Sequence, residues 1–284
     1  MSVLIIFRIL ALLVIIFGIN VEEQVGVIVD TDTNQEEASP VFFEVQGVEI
    51  TLLNGSSLTK KEQNRMEAAL DLQIEEVVKK IGDSVPPKTS LDFIVTDDPN
   101  YVDISHIYFD SELPPEMLSF EYSIISQLYS SPHNDKGDLL VDPLVEYVLT
   151  PTDEIAYSHF FTIVNREDLP YSISELVTSN TLYDEIIYDP STNEISAMKA
   201  LLTYWQASSF TQYLIDTYGI DTYMQLFYRD IHSHKNIQEK YGKTLEELES
   251  EWLGFLQTIE PILDEEIEQA VLDHMDEAVY GSAE

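Results

Sequence analysis

Six histidines are the chain's only imidazoles: His106, His133, His159, His232, His234 and His274. No two of them stand four apart, so no helix turn offers the paired imidazoles of a His-Glu-x-x-His zinc site. His232 and His234 lie two apart and would point to different sides of a helix. On a loop they could catch a surface metal, and solvated loop residues would look the same. There is no cysteine, which excludes disulfides, thiolate metal sites and cysteine nucleophiles. No Gly-x-Ser-x-Gly elbow is present, and the ten glycines form no phosphate-binding cluster. Carboxylates are the abundant reactive group, with 52 Asp and Glu residues. A pair of them could hydrolyse a glycoside, but nothing in their spacing singles out a pair. The acidic run from Asp30 to Glu37 lacks the spacing, glycine and terminal glutamate of an EF-hand calcium loop.

The same carboxylates fix the electrostatics. Against 52 acids stand 14 Lys and Arg, a net charge of -38. Nucleic acid and anionic lipid surfaces both require basic side chains that displace counterions, so neither is an expected partner of this surface. Such a surface stays soluble at high ionic strength, where screening relieves its self-repulsion, and a salt-rich or alkaline habitat fits it. Hydrophobic residues make up 44% of the 284, enough to bury a core.

Elements that could position chemistry follow from punctuation and periodicity. Leu4 to Ile19 is apolar apart from Arg8, which reads as a signal peptide or membrane anchor over residues 1–20. Residues 21–40 read as an acidic linker. The folded part is expected over 41–258, followed by an acidic C-terminal helix or tail at 259–284. Val41 to Leu53 is β-rich, broken at Gly47 and ended by Asn54-Gly55. Ser57 or Thr59 can cap a long helix that runs to about Ile81 and stops at Gly82. Met66, Ala69, Leu70, Ile74, Val77, Val78 and Ile81 recur along it at helical spacing. Ser90 to Thr96 and Ile104 to Phe109 read as strands, and from Pro115 onward the pattern is mostly helical. Ala197 to Tyr218 predicts a helix stopped by Gly219, with Leu201, Trp205, Phe210, Leu214 and Tyr218 on its buried side. A further helix is expected from Asp221 to Asp230. Thr244 and Glu247 form a capping box ahead of Leu245, Leu248, Trp252 and Leu256. The fold class is therefore α+β: a small N-terminal β-sheet with a long helix, then a mostly helical C-terminal part.

Two of these segments carry a family resemblance. Tyr204-Trp205-Gln206-Ala207-Ser208-Ser209-Phe210-Thr211-Gln212-Tyr213-Leu214-Ile215-Asp216-Thr217-Tyr218-Gly219 resembles the late helix of bacterial peptidase MA-like domains, which are gluzincins related to thermolysin. The helix from Thr244 to Leu256 resembles the segment that closes that domain. The order of strand, long helix, strand and strand upstream is also similar. Together the likeness could span Val41 to Gln257.

The resemblance implies a set of positions. Leu118 to Ile125 aligns with the zinc helix, so Phe120 and Ile124 stand where the histidines would be and Glu121 where the general base would be. Asp142 to Val148 aligns with the next helix, where Glu146 takes the place of the third ligand, and Tyr204 that of an oxyanion-stabilising tyrosine. A second alignment puts His159 to Ile163 at the zinc motif and Glu175 at the third ligand. The first is preferred, because Leu169 to Leu176 is similar to the segment that lies beyond the third ligand. Without its histidines the site implies no metal and no cofactor. The expected protein is a pseudo-metallopeptidase, secreted or membrane-anchored with its domain outside the cytoplasm. It would bind or scaffold, with a peptide or protein ligand in the former active-site cleft. The alternatives are a working metallohydrolase with an atypical, zinc-holding site, and an acidic structural surface protein that shares only helix patterning with the family.

Overall fold

The structure, a computed structural model, describes residues 39–82, 87–96, 106–109, 118, 120–129, 141–150, 157–164, 169, 171–178, 194–227 and 234–259. The predicted signal or anchor, nearly all of the linker, and the acidic tail beyond 259 lie outside these residues. The fold is mixed α+β and mostly helical, with one small sheet. The chain divides into two compact units: Met1–Lys80 with Pro86–Tyr129, and Ile81–Val85 with Ser130–Glu284. The stretch expected to form one domain, 41–258, thus runs through both units. Among the described residues no helix is long and apolar enough to cross a membrane.

The first unit begins with an antiparallel hairpin of β1 (Val41–Val45) and β2 (Val48–Leu53). Gln46 and Gly47 form its turn with φ of 51° and 76°, and two left-handed residues give the turn a twist that matches the strands. Thr59 caps α1 (Lys60–Ile81). Its Oγ1 accepts from the Glu62 N–H at 3.3 Å, and its own N–H donates to Glu62 Oε2 at 2.7 Å. Gly82, at φ 78°, ends the helix.

Met66, Ala69, Leu70, Ile74 and Val77 form the buried stripe of α1. After this crossover β3 (Ser90–Thr96) joins β2 in parallel, and β4 (His106–Tyr108) joins β3 in parallel, giving the order β1-β2-β3-β4. Alternate residues Val48, Ile50, Leu52, Leu91, Phe93 and Ile107 are buried. Strand β4 covers His106–Tyr108 of the predicted Ile104–Phe109; Ile104 and Ser105 lie outside the described residues. Helix α2 (Glu121–Leu128) completes the unit.

The second unit is helical: α3 (Val141–Leu149), α4 (Tyr157–Val164), α5 (Ile173–Thr178), α6 (Glu194–Tyr218), α7 (Ile220–Phe227), α8 (His234–Tyr241) and α9 (Leu245–Leu256). Helix α6 is its axis, with α3, α4, α5, α7 and α9 all packed on it. One buried side was expected for α6, but every residue from Leu202 to Ile215 is buried, while Tyr218 is only half-buried. A helix apolar or uncharged all round sinks into the core, and Ala200 to Ile215 carries no charge in a chain dense with acids. Helix α6 also starts at Glu194, ahead of the predicted Ala197. Gly219, at φ 87°, stops it as expected. The capping box of Thr244 and Glu247 is formed, and Leu245, Leu248, Trp252 and Leu256 are buried along α9.

Candidate functional site

In the first unit the expected positions converge on the start of α2. The helix begins at Glu121, and Phe120 precedes it as the N-cap with φ -122° and ψ 3°. The Phe120 carbonyl accepts from the Ile124 N–H at 2.9 Å, which places the two residues one turn apart. Both side chains are core: Phe120 is 2% exposed and Ile124 fully buried. Where the resemblance puts imidazoles, the chain has packed apolar groups with no lone pair to offer a metal. Glu121 is buried in the first turn of α2, where the helix dipole favours a carboxylate.

A residue that the sequence did not single out fixes this corner. Gln73 occupies a place in the buried stripe of α1. Its Oε1 accepts from the Phe120 N–H at 2.7 Å, and its Nε2 donates to the Leu118 carbonyl at 2.6 Å. The amide thus pairs with one backbone acceptor and one backbone donor just ahead of α2. At the other end of the helix Gln127 does the same for β3, accepting from the Asp92 N–H and donating to the Asp92 carbonyl, both at 2.9 Å. The only sequence signal for Gln73 is a polar residue at an apolar position of a periodic helix.

In the second unit Glu146 on α3 and Tyr204 on α6 are both buried, and Glu146 lies beside buried polar side chains of α4 and α6. Glu146 is 3% exposed, and its Oε1 accepts from the Ser158 N–H at 3.2 Å. Burial pushes its carboxyl up to about 7, against the opposing pull of the Ser158 and Ser208 hydroxyls and the Ser158 N–H. Of these, only the N–H makes a well-formed hydrogen bond; Glu146 Oε2 and both hydroxyls have none. The raised value reflects the cost of burying the charged form, which those groups offset only in part. Tyr204 is fully buried with its ring edge-on to Trp205, the centroids 5.1 Å apart.

One residue further along α4 and α6, His159 Nδ1 lies 2.8 Å from Ser209 Oγ, which also accepts from Trp252 Nε1 at 3.0 Å. The ring sits edge-on to Phe255, and its buried Nε2 has no hydrogen-bond partner. Burial pushes the imidazole down to about 4, so it is neutral at neutral pH. Glu175, its companion in the second alignment, lies elsewhere in role and exposure. It is exposed and caps α5, where Oε2 accepts from the Ser172 N–H at 2.8 Å while its own N–H donates to Ser172 Oγ at 3.1 Å. The Ser172 N–H, and after it the Ser172 hydroxyl, donate to Oε2 and hold its carboxyl below its ordinary value.

The structure therefore groups Phe120, Glu121 and Ile124 in the first unit, and Glu146, Tyr204 and His159 in the second. Among the described residues no group of three or more His, Asp or Glu side chains could hold a metal ion. His133, His232 and His274 lie outside the described residues, as does the acidic run from Asp30 to Glu37. The surroundings of Glu146 and His159, namely Ser158, Ser208 and Ser209 with Trp252 bonded to Ser209, were not legible as a site. The signal that could have found them is the charge-free stretch from Ala200 to Ile215, which carries polar side chains into a core. Compared with protein-family models, with curated proteins and with solved structures, the chain has no match.

Proposed function

We propose that this chain is an extracytoplasmic, non-catalytic protein of gluzincin-like fold, a pseudo-metallopeptidase that binds a peptide or protein ligand. The observation that carries the reading is the burial of Phe120 and Ile124 beside Glu121 at the start of α2. At the two positions where the family's zinc would find imidazole, it would find hydrocarbon. The element order supports the fold: hairpin, long helix, two parallel strands, then helices, with the segments that resemble the family lying in α6 and α9. The apolar run Leu4 to Ile19 supports export or anchoring. Two experiments test this. The purified protein should show no peptidase activity that a chelator abolishes. In the native cell, protease added from outside should cleave the domain without lysis; full protection until lysis would contradict the location.

One observation favours a second reading, an active metallohydrolase with a rearranged site. His159 is a buried neutral imidazole with Nε2 unbonded, in the same helical cluster as Glu146 with Oε2 unbonded. A neutral imidazole and a carboxylate oxygen are both zinc ligands. On this reading activity is chelator-sensitive, and it disappears in His159→Gln while the fold persists by circular dichroism.

A further inference from the structure

We draw no further inference here: the strongest candidate, the buried side-chain cluster of Glu146, Ser158, His159, Ser208 and Ser209 between α3, α4 and α6 of the second unit, belongs to the site already described and beyond it rests only on the titration of its two ionisable groups.

Discussion

The two units admit amides to their interiors on different terms. In the first, buried Gln73 has both ends matched, its amide spanning a backbone N–H and a backbone carbonyl, and half-buried Gln127 pairs in the same way with Asp92 at the surface. In the second, Gln206 donates to the Tyr171 carbonyl at 2.6 Å and Gln212 donates to Asp216 at 3.0 Å, but the Oε1 of each has no partner. A matched amide acts as a positional clamp that fixes one segment against another. A half-matched one leaves a buried carbonyl oxygen unsatisfied, which costs stability. Gln73 thus fixes the start of α2 in the first unit, whereas the second unit buries Glu146 and His159, whose burial shifts their titration.

The largest expected effect breaks the clamp. Gln73→Leu removes two bonds and leaves the Leu118 carbonyl and the buried Phe120 N–H unsatisfied. Each orphaned group costs about 1–3 kcal/mol, so denaturant unfolding should report a loss of about 2–6 kcal/mol. Gln206→Leu orphans only one carbonyl, on a half-buried residue, and should cost about 1 kcal/mol. Equal losses from the two substitutions would erase the distinction between the units.

Next in size is the pH response of the second unit. The folded carboxyl of Glu146 is raised from 4.5 to about 7, so its contribution is fully present below 4.5 and is lost as pH rises through 7. The folded imidazole of His159 is lowered from 6.5 to about 4, so its contribution is present above 6.5 and is lost as pH falls through 4. Each amounts to about 3 kcal/mol at one pKa unit per 1.36 kcal/mol, and between 4.5 and 6.5 they oppose one another. Relative to wild type, Glu146→Gln should gain about 3 kcal/mol as pH rises from 4.5 to 7. His159→Gln should show the reverse trend, losing ground to wild type as pH rises from 4 to 6.5. Differences independent of pH would mean that both groups are solvated.

A smaller effect sharpens the account of the hairpin. A Cβ at Gly55 would lie 2.9 Å from the Leu52 Cβ and 3.0 Å from the Val41 Cβ, closer than packed carbons allow. Gly55→Ala should therefore cost about 1–3 kcal/mol through overpacking. Smallest is the cap of α9: Thr244→Ala removes the acceptor of the Glu247 N–H and should cost about 1 kcal/mol. Melting curves of the two variants would rank them, and a cap loss that exceeds the Gly55 loss would reverse the expected order.

What the sequence made legible was local. Thr59 and Thr244 announce helix starts because a capping box needs only residues three apart, and Gly82 and Gly219 announce stops because left-handed φ is cheap only for glycine. The burial of Phe120 and Ile124 also followed from residue type. Other features depend on neighbours distant in the chain. The burial of α6 on all sides requires five other helices, and the place of Gln73 in an apolar stripe requires the backbone of Leu118 and Phe120. Glu146 reads as one acid among many until Ser158 and Ser208 arrive from two other helices. Glu175 shows the converse: its sequence fits a ligand position, while a serine three residues earlier makes it a cap.

The central claim of the proposal is that no zinc centre was inherited at α2, because Phe120 and Ile124 stand where the resemblance would put ligands. Elemental analysis of the full-length protein, dialysed after loading with zinc, tests it most directly. The account predicts far less than one zinc per chain, unchanged by His159→Gln. Near one tightly held zinc per chain would contradict it, and loss of that zinc in His159→Gln would move the metal to the second unit.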